Sequence, residues 1–469
     1  MWHFFGLSYC GMNKKMKRNY FILILIIFLL FVAEAVNGQK RWTLDECIAY
    51  ALKHNLEIEA KAITNEAGRE LYEQSKRNRL PAINANSGYS INYGKSVDPN
   101  TNAVTTNNFA SNSYAVQGSM VLFEGFVRNN IIAYNRFKYL AAIEQEKALK
   151  TDIAFNVMNS YHNTLYLKGL LEIVKEQKEL SELNLEKVRK ESQVGISART
   201  EILEIEARLA EEELQVIRTQ NNLRSSLLEL KRVMNFPAGE DLQLQEPGDI
   251  EMVIPAGNVS ADSVYQIALK HLPSVKAKDQ QLKSVEKSLA VSKGYLFPSL
   301  SFYGGYHTGF YETHTDDTGN TISFRNQLKN NASQAMGLSL NIPLFNRWNT
   351  RSAVRLGKLD LEREKVELTN YKNQLYYEIE AYCQDLSAMA AEFAQAQKQT
   401  DSNLLAFEVA QKKKEQGLFN IIDLYSSKNL LSNAQSELLR TRLQYLVKRK
   451  TIDFYMGIPV FGQELLSEK

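Results

Sequence analysis

The sequence contains few helix-breaking residues and few metal ligands. Its 469 residues include 9 prolines, 23 glycines, 3 cysteines and 6 histidines. So little proline and glycine indicates a protein dominated by long helices rather than by loops. Cys47 and Cys383 fall in helical patterns of different segments, which predicts small buried apolar residues rather than a disulfide. The histidines have no metal-ligand spacing, so neither a metal site nor a cofactor is predicted.

An excess of one charge is also lacking, since 56 basic residues face 53 acidic residues. This balance argues against a nucleic-acid partner. The chain has no nucleophile motif, no glycine-rich phosphate loop and no clustered pair of acids. We therefore predict that the protein is not an enzyme.

One long apolar run is present, FILILIIFLLFVAEA, and it follows the basic residues Lys14, Lys15, Lys17 and Arg18. This pattern predicts a signal peptide with an upstream extension at residues 1–38. A retained membrane anchor is the alternative, but the apolar core of about 13 residues is short for a span of about 20. No later run is long enough for a transmembrane helix, so we expect any membrane crossing to use β-structure.

The chain repeats itself. LDECIAYALKHNLEIEAK (44–61) aligns with DSVYQIALKHLPSVKAK (262–278) at an offset of 217 residues, and Pro237 aligns with Pro459 at an offset of 222. The change of five residues arises between residues 81 and 122, which implies an exposed loop. The predicted domains are the first repeat (39–237), a linker (238–262), the second repeat (263–459) and a C-terminal tail (460–469).

Each repeat contains two segments that alternate between apolar residues and small or polar residues, as half-buried strands do. The apolar positions are Ile83, Ala85, Tyr89, Ile91, Tyr93, Tyr114, Val116, Met120, Leu122, Leu300, Phe302, Tyr306, Phe310, Met336, Leu338, Leu340 and Ile342. Strands of about ten residues with this pattern are typical of an outer-membrane barrel with a wet lumen. A soluble sandwich is the alternative, although four strands are few for one.

Four strands cannot close a barrel, and open strand edges in hydrocarbon leave backbone groups unpaired. Several chains are therefore expected to share one barrel. Two, three or four copies give 8, 12 or 16 strands, and the residues alone do not decide between them.

The repeats also predict two very long helices. Residues 126–193 contain no proline, and a helix of that length extends about 100 Å. The second repeat has a heptad pattern, which predicts coiled-coil packing. Its apolar positions are Leu375, Ile379, Tyr382, Leu386, Met389, Phe393 and Ala396.

Both long helices end at a glycine that is followed six residues later by an acid. The sequences are KESQVGISARTE (190–201) and KEQGLFNIID (414–423). Glycine permits the positive φ that a helix end needs, so each glycine predicts a reversal of the chain into a second helix. Either these tips are simple helix reversals, or they form a surface that contacts another protein.

With these features together, the chain resembles the TolC family of outer-membrane efflux and secretion channels over essentially its whole mature length. The resemblance rests on the duplicated unit, on the segments LFEGFVRNN and LFNRWN, and on the two glycine tips. It implies an α+β membrane protein, a homotrimer in the outer membrane of a Gram-negative bacterium. Four strands per chain would form a 12-stranded β-barrel, continued by a long periplasmic α-helical coiled-coil tunnel.

The resemblance also implies two kinds of site. Adaptor-docking tips are expected at Val194, Gly195, Ile196, Gln416, Gly417 and Leu418, and a periplasmic gate at Glu201, Glu204, Asp423 and Ser426. Family channels with a double acidic ring carry an acid where this chain has Ser426, which argues against a strong cation-binding ring. Alternatively, Glu201 and Glu204 only oppose the dipole at the start of a helix.

The function implied is the passive exit duct of a tripartite efflux or type I secretion system. Its partners are a periplasmic adaptor protein, an inner-membrane pump and outer-membrane lipid. The alternative is an exported periplasmic coiled-coil adaptor, or a structural protein without a pore. The cargo is chosen largely by the pump, so this sequence does not name it.

Overall fold

The computed structural model describes residues 41–97, 102, 104–106, 108–195, 198–246, 260–316, 318–416, 418 and 421–460. The predicted signal peptide, residues 247–259 of the predicted linker and nearly all of the predicted C-terminal tail lie outside the described residues. The chain divides into two compact units. The first comprises the described residues of 1–54, 155–253 and 396–443, and the second those of 55–154, 254–395 and 444–469.

The helices, in chain order, are α1 (Leu44–His54), α2 (Leu56–Arg77), α3 (Val127–Gln193), α4 (Arg199–Met234), α5 (Ala261–His271), α6 (Pro273–Gly294), α7 (Phe324–Asn330), α8 (Asn349–Glu415) and α9 (Ile421–Tyr455). The strands are β1 (Arg41–Trp42), β2 (Ala82–Asn92), β3 (Ser96–Val97), β4 (Val104–Thr105), β5 (Phe109–Glu124), β6 (Gln243–Leu244), β7 (Ser299–Tyr311) and β8 (Ser333–Asn341). The predicted order of elements in each repeat is therefore present. Within the described residues, no helix has the length and apolar character needed to cross a membrane.

Local sequence explains where several helices begin and end. Asn55 caps α2, because its side-chain oxygen accepts hydrogen bonds from the backbone nitrogens of Glu57 and Ile58. The helices α4 and α9 end at equivalent positions of the repeat, where Asn235 and Gly457 adopt φ of 52° and 75°. Left-handed residues of this kind let the following amides satisfy the last free carbonyls of a helix.

The second unit contains an antiparallel sheet in the order β2-β5-β7-β8. The register pairs Ala85 with Val116, Met120 with Phe302, and Phe302 with Leu338. Directly paired residues of neighbouring strands lie on the same face of a sheet. The apolar positions predicted for β2 and β7 therefore share one face with Tyr114, Val116 and Met120 of β5 and with those of β8.

Leu122 is an exception to the predicted alternation. The register between β5 and β7 shifts between Val121 and Phe123, so that Phe123 rather than Leu122 pairs with Leu300. A bulge places two residues of one strand opposite one of its neighbour, which reverses the faces beyond it. The sequence pattern alone does not reveal this shift, because Leu122 and Phe123 are both apolar.

The loop after β7 contains a helix that the sequence analysis missed. Gln327 of α7 is fully buried, and its side-chain amide donates hydrogen bonds to the carbonyls of Tyr311 and Ile322. Its side-chain oxygen accepts a bond from the backbone nitrogen of Tyr311. A seven-residue polar segment gives little periodicity, so tertiary hydrogen bonds rather than pattern hold α7 in place.

The predicted heptad positions of α8 are buried or half-buried, and Leu375, Ile379 and Leu386 are the most enclosed of the apolar ones near its middle. In the second unit, Leu375 and Ile379 pack with Val264 and Val275 of α5 and α6. Cys47 is buried, as predicted, whereas Cys383 is only half-buried. Among the described residues, no group of three or more potential ligands is placed to hold a metal ion.

The junction between strand and long helix has the same backbone conformation in both repeats. Gly125 and Phe126 have φ of 54° and 62°, and Arg347 and Trp348 have φ of 56° and 63°. At Gly125 a side chain is also excluded by contact, because an added Cβ would lie 2.2 Å from the carbonyl oxygen of Gly294. The first repeat therefore needs glycine where the second accepts arginine.

We expect the substitution Gly125→Ala to destabilise the protein by at least about 2 kcal/mol, since it adds left-handed strain and a backbone clash. Gly239→Ala is the matched control, because no described residue other than its chain neighbours lies within 4 Å of a Cβ added at that position. Thermal unfolding of the detergent-extracted protein measures both changes. Equal melting temperatures for the two variants would contradict the close approach of Gly125 and Gly294.

Candidate functional site

The apolar face of the four-stranded sheet is exposed. Ile83 and Tyr89 of β2 are 70% and 68% exposed, and Met336 and Leu338 of β8 are 80% and 63% exposed. Contiguous exposed apolar surface marks a membrane or protein contact site. The opposite face carries small and polar side chains, which fits a wet interior.

A second candidate surface lies in the first unit, where α3 reverses into α4. Gly195 has φ of 82°, and its amide donates a hydrogen bond to the carbonyl of Ser192. Val194, one residue earlier, is 70% exposed. The predicted reversal after Val194 is therefore present, with a glycine in the conformation expected of it.

The second reversal joins α8 to α9. The backbone N–H of Gln416 donates a hydrogen bond to the carbonyl of Lys412, and the backbone N–H of Leu418 donates one to the carbonyl of Lys413. The Leu418 side chain is 72% exposed. Gly417 and Ile196, the remaining predicted tip residues, lie outside the described residues.

An apolar cluster holds the two hairpins together in the first unit. It joins side chains from α3, α4, α8 and α9, with the aromatic ring of Tyr425 1% exposed. Its buried members are Leu185, Val188, Ile205, Ala410, Ile421, Leu424 and Tyr425. Burial raises the pKa of the Tyr425 hydroxyl above its ordinary value.

Of the four predicted gate residues, Glu201 makes an ion pair with the other hairpin. Its Oε1 lies 2.6 Å from Nζ of Lys414, and their side chains are 19% and 21% exposed. Glu201 also lies in the first turn of α4, whose N-cap Ala198 makes no side-chain cap. One carboxylate is therefore placed both to oppose the helix dipole and to tie the hairpins.

The other three predicted gate residues lie on exposed positions. Glu204 follows Glu201 on α4, while Asp423 and Ser426 lie in the first two turns of α9. None of the three has a side chain buried among the apolar residues of the cluster. All three side chains are accessible to solvent.

Sequence reasoning missed Lys428, a buried cation between the hairpins. Its ammonium donates hydrogen bonds to Oγ of Ser181 at 2.7 Å, to Oε1 of Glu212 at 2.9 Å, and to the carbonyl oxygen of Gln177. Lys428 is 1% exposed. Burial lowers its pKa below the ordinary lysine value, and the Glu212 carboxylate opposes that shift.

A signal for Lys428 was present in the sequence. It lies four residues after Leu424 and three before Leu431, both of which are buried. Residues at these spacings share one face of a helix, so a lysine there interrupts an apolar stripe. The sequence gave no comparable signal for Lys414. Its counterpart in the first repeat is Ser192, so the repeat does not mark this position as a charged one.

The exposed apolar sheet face of the second unit and the paired helical hairpins of the first are both features predicted for an outer-membrane channel. Comparison with known proteins agrees. The profile of the family described as "Outer membrane efflux protein" matches residues 47–235 and 264–458. The chain belongs to the outer membrane efflux protein family.

Individual relatives are distant but span nearly the whole chain. The alkaline protease secretion protein AprF of Pseudomonas aeruginosa is 22% identical over 418 residues, covering 87% of this chain and 83% of AprF. The Campylobacter jejuni outer membrane channel CmeC has a TM-score of 0.78 at 18% identity, covering 91% and 87%. The open state of the Neisseria gonorrhoeae channel MtrE has a TM-score of 0.73 at 17% identity, covering 89% of each.

The family confirms several predictions. The resemblance to TolC-like channels, the outer-membrane location in a Gram-negative bacterium and the absence of enzymatic activity are all supported. The protein is a passive outer-membrane efflux channel. The alternative of a periplasmic adaptor or a structural protein without a pore is therefore excluded.

We expect Gly195→Val to lower transport, because a β-branched residue is strained at positive φ and distorts the turn. Gly195→Asn is the matched control, since asparagine tolerates the left-handed conformation and should keep near-normal transport. Apart from its chain neighbours, no described residue lies within 4 Å of a Cβ at this position, so strain rather than a clash is tested. Cargo export and the amount of assembled outer-membrane protein should both be measured. Loss of assembly in Gly195→Val would mean that the turn has a larger structural role.

Proposed function

We propose that three copies of this chain form the exit duct of a tripartite efflux or type I secretion system. In this proposal the three sheets close into a 12-stranded barrel in the outer membrane, continued by a periplasmic tunnel built from the long helices. The observation that carries it is the exposed apolar face of a sheet with two open edges.

The unpaired edges of the sheet are the reason to expect several chains in one barrel. The strands β2 and β8 have neighbours on one side only within the described sheet. Their free N–H and C=O groups require partners in hydrocarbon, where each unpaired group costs several kcal/mol. Pairing β8 of one copy with β2 of the next satisfies both edges. Three copies are the number that the family resemblance implies.

The hairpin tips supply the docking surface. Val194 and Leu418 are exposed apolar residues beside the two reversals, and no contact within the described chain covers them. Exposed apolar residues at a helix reversal are suited to a protein partner. The partner proposed is the periplasmic adaptor of an inner-membrane pump, and the related AprF is named for protease secretion.

The gate is proposed at the same end. Glu201, Glu204, Asp423 and Ser426 line the closed tip, and the pair Glu201–Lys414 holds one hairpin against the other. Three copies around an axis repeat each charge three times, so few residues set a large local potential. The solved open state of MtrE supports the idea that channels of this fold change state.

The trimer is tested by the mass of the protein extracted from outer-membrane fractions. Light scattering with the detergent contribution subtracted should give the mass of three mature chains, because three sheets of four strands close the barrel. The same measurement on periplasmic fractions is the control and should detect none of this protein. A monomeric mass in detergent would contradict the shared barrel.

The gate is tested by neutralising the pair between the hairpins. We expect Glu201→Gln and Lys414→Gln each to raise the current through closed channels in planar bilayers severalfold, since one tie between hairpins is lost. Glu206→Gln is the matched control, because its 2.6 Å pair with Arg189 joins α3 and α4 of a single hairpin. If all three variants carry the wild-type current, Glu201 serves only to oppose the helix dipole.

A further inference from the structure

Lys428, which was not among the predicted gate residues, makes a buried polar contact between the two hairpins. A protonated lysine has three N–H donors, and three acceptors surround this ammonium. Two acceptors, Gln177 and Ser181, belong to α3, and the third, Glu212, belongs to α4. Lys428 itself belongs to α9, so one side chain joins three helices of two hairpins.

An aromatic ring and a second cation lie near this ammonium, and the second cation, the guanidinium of Arg208, repels it. The ammonium lies 5.2 Å from the ring centre of Tyr425, and the guanidinium of Arg208 lies 5.1 Å from the same ring. A cation near an aromatic face is attracted by the ring. The charges facing Lys428 from the packed helices are thus one carboxylate, Glu212, and one guanidinium, Arg208.

The two ties between the hairpins differ in their access to water. The pair Glu201–Lys414 keeps about one-fifth of each side chain exposed, so water can replace each partner when the hairpins separate. Lys428 is 1% exposed. Withdrawing it from its three acceptors leaves a charge and several polar groups buried without partners, which is strongly unfavourable.

We propose that Lys428 is a positioning residue of the gate, which fastens α9 to α3 and α4 and limits opening to the chain between Lys428 and the reversals. In this arrangement the exposed tie breaks when the tip opens, while the buried tie stays intact as a fixed point. The inference rests on the proposed gating function and adds the residue that determines where movement stops.

The test uses the full-length protein with Lys428→Met, which keeps the side-chain length but removes the charge and its three hydrogen bonds. We expect the closed-channel current in planar bilayers to rise at least about tenfold, because removing one partner of a buried pair strongly destabilises it. Glu212→Gln should act in the same direction and serves as the second variant if Lys428→Met does not assemble. Lys168→Met is the matched control, since its pair with Glu246 is exposed.

Hydrogen exchange separates a fastening role from a general loss of stability. In Glu201→Gln, we expect faster exchange in residues 185–195 and 410–416, while residues 177–181 and 428–434 stay protected. Adding Lys428→Met should extend the fast exchange to those protected residues. The trimer mass and melting temperature of all variants are measured alongside.

Three results would contradict the proposed role of Lys428. If Glu201→Gln raises the current but Lys428→Met and Glu212→Gln do not, Lys428 is no fixed point and the gate proposal stands without it. If fast exchange in Glu201→Gln already reaches residues 177–181, the movement does not stop at Lys428. If the wild type and all variants conduct nothing in bilayers, the proposed gate fails and this inference fails with it.

Discussion

Backbone groups inside hydrocarbon must all be hydrogen-bonded, and this constraint explains most of what the four-stranded sheet requires. One face of the sheet is apolar and exposed, so it is suited to lipid rather than to a protein core. Its two edge strands are each paired on one side only within the described sheet. These two properties are the basis of the proposal that several chains share one barrel, and the chain belongs to a family of outer-membrane efflux proteins.

The two repeats share backbone conformations as well as sequence patterns. Equivalent junctions in the two repeats use consecutive left-handed residues, and equivalent helix ends use Asn235 and Gly457. The residue types differ because only the conformation has to be kept. Gly125 approaches the backbone of Gly294 closely, whereas Arg347 repeats the conformation with a long side chain.

At the helical reversals, apolar packing and polar contacts have different roles. The cluster around Tyr425 brings four helices together without specifying one register, because apolar contact is not directional. Directional contacts are made by Glu201 with Lys414 and by Lys428 with its three acceptors. A channel that changes state needs both, since packing keeps the hairpins together while polar contacts define discrete arrangements.

Much of the fold could be predicted from residue patterns. The period-two strands, the long helix ending at Gln193 and the left-handed Gly195 all follow from short-range sequence rules. The bulge at Leu122 could not be predicted, because two adjacent apolar residues satisfy either register. The helix α7 was missed because its stability comes from Gln327, which bonds to residues distant in sequence.

Some features of the candidate site also follow from the sequence, and others depend on the tertiary structure. The positions of the reversals were determined by the sequence alone, through a glycine signal and its repetition, whereas the exposure of Val194 and Leu418 is a finding of the structure. The partners of Glu201 and Lys428 were decided only by the tertiary structure. Each partner lies on the other hairpin, more than 200 residues away, and no local pattern encodes which charges meet when two hairpins pack. Periodicity determines the elements and their faces, whereas pairing of charges depends on how those faces come together.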